Sequence, residues 1–176
     1  TAGSANSSSS SSSRQRALPI QKLNSKQLSL LVWGLAALES HCSGVRSEWV
    51  DQLVQDIASH VVQSDVMDRA GKDWCMHWAR LLYSTAKLGI RCRYDQPVQQ
   101  LFSAAAQQIP PLLLRQKQPC APQSISNILW AFATSEYSAS SLRELVAAVA
   151  RNEALAILVI LVMEGRSEEH TSELQS

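Results

Sequence analysis

The sequence predicts an all-α chain, an α-solenoid of about three stacked helix–loop–helix units. Three observations lead there. Leu, Ala, Ser and Gln dominate the 176 residues and glycine is scarce, at 6, a helix-leaning mix. Apolar residues recur at the 3.6-residue period of a helix. One nine-residue segment also occurs three times without gaps. It reads LVWGLAALE at 31–39, LLYSTAKLG at 81–89 and ILWAFATSE at 128–136. An aromatic stands at Trp33, Tyr83 and Trp130, and an alanine three residues later at Ala36, Ala86 and Ala133. The alanine suits close approach by a neighbouring helix.

In chain order, the first unit (about 25–65) opens with the helix carrying Trp33. A second helix follows through Val50, Leu53, Val54 and Ile57. The second unit (about 72–109) has its apolar stripe at Trp78, Leu81, Leu82, Thr85 and Ala86, then a helix through Val98, Leu101, Phe102 and Ala105. Pro97 suits the first turn of that helix, where its missing N–H costs little. The third unit (about 122–151) has Ile125, Ile128, Leu129, Phe132 and Ala133, then Leu142, Leu145, Val146 and Val149. Loops are expected at 41–47, 89–95 and 135–141. Pro110 to Pro122 carries four of the six prolines, which predicts a linker that ends the preceding helix. One helix pair cannot bury its apolar face alone, whereas stacked pairs make a continuous core. The five tryptophans, Trp33, Trp49, Trp74, Trp78 and Trp130, read mostly as core.

The ends differ in texture. Residues 1–20 contain seven consecutive serines, Ser7 to Ser13, and no acidic residue precedes Glu39. This composition fits a disordered Ser-rich linker, or alternatively a transit-peptide-like segment. Residues 166–176 read RSEEHTSELQS. They are identified, codon by codon, as the translation of a common sequencing adapter, and the parent protein is expected to be longer at both ends. Setting that segment aside removes one Arg and three Glu, taking 16 basic and 15 acidic residues to 15 and 12, a formal charge of +3. Residues 154–165 include a ten-residue apolar run, Ala154 to Met163. It reads either as a buried helix or as off-frame or intronic read-through.

Several function classes lack their signatures. No apolar run approaches the roughly 18 residues of a membrane span, so no membrane partner is expected. Cys42, Cys75, Cys92 and Cys120 show neither C-x-x-C nor zinc-finger spacing and read as reduced thiols. His41 beside Cys42 is not a catalytic pairing. Asp65, Asp68 and Asp73 do not have calcium-loop spacing. No phosphate loop or nucleophile elbow is present. No enzyme activity, cofactor or metal is expected.

The segment QSISNILWAFATS (123–135) resembles the first helix of an octotricopeptide repeat, through Ser126, Asn127, Leu129, Trp130, Ala131 and Ala133. Residues 31–38 match that pattern more loosely, and Ala86, Lys87, Leu88 and Gly89 match its closing part. The resemblance covers roughly 25–151. The chain departs from the family in a longer pitch, 50 and then 47 residues between the aromatics, and in lacking the Leu-Gly close of its third unit. The resemblance implies an RNA-binding solenoid of the chloroplast, or alternatively the mitochondrion, acting in RNA stability, processing or translation. Its implied partners are single-stranded RNA of an organellar transcript and other proteins of a ribonucleoprotein complex. The alternative is a protein–protein scaffold of armadillo or HEAT type.

RNA-reading solenoids contact a base with two or three side chains of each repeat. A polar stripe beside the core is therefore the expected site. It comprises His77, Arg80, Ser84 and Lys87 in the second unit and Ser124, Asn127 and Thr134 in the third. In the first unit only Gln27 is polar, since Leu30, Gly34 and Ala37 fill the other positions. Arg80 and Lys87 suit phosphates, His77 stacking, and Asn127 a base edge.

Overall fold

A computed structural model describes residues 19–41, 47–115, 120–138, 140–151 and 156–163. Helices make up most of it, with no strand among the described residues. The serine run and the RSEEHTSELQS segment lie outside the described residues. The helices are α1 (Ser25–His41), α2 (Glu48–Gln63), α3 (Trp74–Lys87), α4 (Gln96–Arg115), α5 (Pro122–Thr134), α6 (Ser140–Ala150) and α7 (residues 156–163). Short 3-10 turns precede α1 and α3.

Local chemistry sets several helix starts. Asn24 and Gln27 form a reciprocal capping box: each side-chain oxygen accepts the other's backbone N–H at 3.0 Å, satisfying two donors that the first turn leaves open. Asp95 caps α4 by accepting the Val98 N–H at 3.0 Å. Its other oxygen accepts the Gln55 amide of α2 at 2.8 Å, so one carboxylate both starts α4 and ties it to α2. Pro122 occupies the first turn of α5, where a missing N–H is harmless.

Alternate helices pack together. α1 lies on α3 and α3 on α5, while α2 lies on α4 and α4 on α6. The chain thus alternates between a layer of odd helices and a layer of even ones, with one continuous core. Leu28, Ile57, Trp78, Leu101, Phe102, Ile125, Phe132 and Leu145 are among its fully buried side chains. Phe102, Phe132 and Tyr137 form an aromatic cluster, with Phe132 edge-on to Phe102 at 5.1 Å and to Tyr137 at 5.2 Å. The Tyr137 hydroxyl donates to Ser103 Oγ of α4 at 3.2 Å and lies 3.0 Å from Ser141 Oγ of α6. This cluster joins the two layers where α4, α5 and α6 meet.

Two expectations are corrected. Pro110 does not end α4, which runs through Pro110 and Pro111 to Arg115. Two prolines remove two helical hydrogen bonds. Burial of Ile109 and Pro110, and packing of Leu112 and Leu113 on the core, oppose that cost. Nor are the tryptophans uniformly core. Trp74 and Trp78 are buried, Trp130 is half-buried, and Trp33 and Trp49 are 52% and 58% exposed.

The α3 helix closes on Gly89, whose φ is +74°, a left-handed conformation that glycine adopts without penalty. The equivalent position after α5 is Glu136, also left-handed at φ +57°. The turn after α5 therefore keeps the backbone of this close while lacking its glycine. Glu136→Gly should stabilise the chain by about 0.5–1 kcal/mol, because a left-handed L-residue is strained. The Arg91–Glu136 ion pair that it removes is exposed and long, at 3.9 Å, and contributes little. A urea midpoint unchanged or lowered by the substitution would contradict this account.

Candidate functional site

The site is built by the division of labour around α3. Successive residues of a helix turn by about 100°, and four sectors separate cleanly. Trp74, Trp78 and Thr85 point inward. His77, Leu81, Ser84 and Leu88 share the flank towards α1, since the His77 ring nitrogen Nδ1 lies 3.1 Å from Ser25 Oγ of α1. Cys75, Ala79, Leu82 and Ala86 share the opposite flank, towards α5, the other helix packed on α3. All of these are buried. Only Met76, Arg80, Tyr83 and Lys87 remain partly or fully exposed, in one narrow outer stripe.

The same register gives the outer stripe of each neighbour. On α5 it is Gln123, Asn127, Trp130 and Thr134, and on α1 it is Lys26, Leu30, Trp33 and Ala37; every one is half-buried or exposed. The Tyr83 and Trp130 rings sit 4.9 Å apart at an interplanar angle of 45°. The stripe thus presents an aromatic in each helix, Trp33, Tyr83 and Trp130. Lys26, Arg80 and Lys87 supply positive charge beside them, and no carboxylate stands on the stripe. The Gln123 amide donates to Asn127 Oδ1 at 3.1 Å, aligning the two carboxamides. At the far end Arg91 donates to the Thr134 carbonyl.

The expected site residues divide accordingly. Arg80, Lys87, Asn127 and Thr134 reach the outer stripe. His77 and Ser84 do not, being buried on the flank against α1. Ser124 stands at the register of His77 on α5 and lies off the outer stripe, half-buried. Gln27 is exposed, but its side chain closes the α1 capping box. Sequence reasoning missed Lys26, Met76, Gln123 and the three aromatics. A signal was present: Trp78 and Tyr83 are five residues apart, about 140° around the helix, and cannot share one buried stripe.

Burial of His77 pushes its pKa below the usual histidine value. The nearby Arg80 and Lys26 charges push in the same direction, and Asp73 opposes them. Lys26 and Arg80 are therefore close enough to act on one imidazole between α1 and α3.

Among the described residues, no group of three or more His, Cys, Asp or Glu side chains could hold a metal ion, and no helix is long and apolar enough to cross a membrane. Comparison with protein-family models, curated proteins and solved structures finds no match.

Because the folded pKa of His77 is lowered, the unfolded chain binds more protons between that value and about 6.5. The His77 contribution to stability is fully present above pH 6.5. It is lost as pH falls through the folded pKa, where the ring must charge inside the α1–α3 contact. In urea melts between pH 7.5 and 5, His77→Gln should flatten the decline. An unchanged pH slope would rule His77 out as its source.

Proposed function

We propose that the chain is an RNA-binding segment of an α-solenoid, and that the outer stripe of α1, α3 and α5 holds single-stranded RNA. One observation carries this reading: Trp33, Tyr83 and Trp130 stand at one register on three successive helices of a layer, beside Lys26, Arg80, Lys87 and Asn127. Aromatic faces stack on bases of any sequence, at about 1–3 kcal/mol per base. Cations along the same track neutralise phosphates, and Asn127 with Gln123 offers donors and acceptors to a base edge. The alternate packing of odd and even helices, and the left-handed close shared by Gly89 and Glu136, support reading the helix pairs as stacked repeats. The octotricopeptide resemblance supports an organellar role in RNA stability, processing or translation, in the chloroplast or alternatively the mitochondrion, within a ribonucleoprotein complex.

A second reading, a protein-binding scaffold, draws support from exposed apolar side chains away from the stripe. Leu38 on α1 is 63% exposed, and Ile157, Leu158, Ile160 and Leu161 of α7 are all exposed.

Fluorescence anisotropy of the chain with a random single-stranded RNA pool separates the two. With about three phosphate contacts, affinity should fall roughly 20-fold between 50 and 200 mM salt. Tyr83→Ala should weaken binding roughly tenfold or more. Arg80→Glu should weaken it and reduce the salt slope by about one contact or more. Trp33→Ala should weaken binding while leaving stability within about 0.5–1 kcal/mol, since the ring is half-exposed. A folded chain that shows no salt-dependent binding, or binding indifferent to Tyr83 and Arg80, would transfer the weight to the scaffold reading.

A further inference from the structure

A cavity of about 230 Å³ opens where the turn before α1, the end of α2 and the turn before α3 meet. Lys22, His60 and Arg69 stand in its wall, one from each of those segments, with Asn24, Ser25 and Ser64 between them. No Asp or Glu lines it. Asp65 and Asp68 belong to the same turn as Arg69 yet lie outside the wall. Among the described residues, no ion pair joins Lys22, His60 or Arg69 to a carboxylate.

The polar groups of the wall divide into engaged and available. Ser64 Oγ donates to the His60 carbonyl at 2.7 Å, and Ser25 Oγ lies against His77 Nδ1 at 3.1 Å. Asn24 Oδ1 accepts the Gln27 N–H, which leaves its amide nitrogen as a donor. Arg69 Nε donates to the Asp65 carbonyl at 3.3 Å. That bond ties the guanidinium to its turn and leaves the two terminal nitrogens available. The Lys22 ammonium carries three donors, and even a neutral His60 ring carries one. What the cavity offers is therefore donors and positive charge.

We propose that this cavity binds a phosphate group, as the free ion or as a monoester, held by Lys22, His60 and Arg69. Donors converging from three segments suit an anion with several oxygens. The guanidinium fork takes two phosphate oxygens, and the ammonium acts as a point charge on a third. A metal cation would find no carboxylate to ligate it. The inference stands on this cavity and not on the RNA reading.

The test uses the whole chain and inorganic phosphate, with sodium chloride at matched ionic strength as the reference. Three charge-assisted hydrogen bonds correspond to a Kd on the order of 1 mM. At about ten times that concentration, phosphate should raise the unfolding midpoint by roughly 3–6 °C. The doubly substituted Lys22→Glu, Arg69→Glu chain should lose that rise. Tyr83→Ala, which removes a ring of the outer stripe, should keep it, so this site and the RNA reading fail separately. Uridine monophosphate and uridine distinguish the sources. Equal binding of phosphate and the monophosphate marks a site for the free ion, and roughly tenfold tighter binding of the monophosphate marks a site for a monoester. Uridine binding as tightly as its monophosphate would overturn the proposal. So would a phosphate rise of the same size in the doubly substituted chain, which marks a general salt effect. Amide NMR of the unsubstituted chain decides even if the variant folds poorly. Saturable shifts should centre on Lys22, Ser25, Ser64 and Arg69, and shifts that do not saturate or that centre elsewhere would refute the site.

Discussion

The structure depends on one constraint: a helix in the odd layer must bury two flanks and an inner stripe at once. For α3 this leaves four positions in fourteen facing outward. Close approach on both sides requires small side chains. They stand where the layer needs them, at Ser25, Ser29 and Ala36 on α1 towards α3, and at Cys75, Ala79 and Ala86 on α3 towards α5. Polar groups enter these contacts only at a cost. His77 shares its Nδ1 with Ser25, while its Nε2 meets no hydrogen-bond partner among the described residues. The lowered pKa of His77 follows from packing α3 against α1.

The same constraint releases the outer stripe from packing duty. A residue there answers to solvent and to whatever docks, so its chemistry is informative where that of a flank is not. Aromatics are an expensive choice for such a position, because an exposed ring forfeits the burial that makes it stabilising. Trp33 at 52% exposure is hard to account for as core. As one face of a stacking surface it needs no burial by the chain itself. A lysine or arginine on the stripe is ordinary in isolation. Three of them among three rings, with no carboxylate on the stripe, make an electropositive track.

Much of the fold was legible in the sequence, because helix period and register survive in the choice of apolar residues. The three paired helices fall where the stripes placed them. The continuation of α4 through Pro110 and Pro111 was not legible, because side-chain burial against the core outweighs a local rule about proline. The site was legible only in part. The polar stripe read from sequence, with His77, Arg80, Ser84 and Lys87, lies about 50° around the helix from the observed outer stripe. It captures Arg80 and Lys87 and loses His77 and Ser84 to the flank. Amphipathicity distinguishes two faces, whereas a helix packed on both sides has four. Polarity cannot tell a buried flank serine from an exposed one.

What remains is why the rings of α3 and α5 should be useful rather than merely exposed. Their spacing is fixed at two points along the helix pair. Tyr83 meets Trp130 in the middle, and Arg91 and Cys92 bond to the carbonyls of Thr134 and Ser135 at the end. Loops carry these terminal contacts, so the turn after α3 holds the end of α5 directly. Binding a flexible strand incurs an ordering cost, and a surface that is already ordered adds little to it. Rings on a free loop would need to be immobilised on binding. Rings held 4.9 Å apart on two packed helices do not. The left-handed close at Glu136 lies at the same joint. The chain tolerates a strained left-handed glutamate there, in the turn whose carbonyls receive Arg91 and Cys92. The strained residue lies where the turn after α3 meets the end of α5.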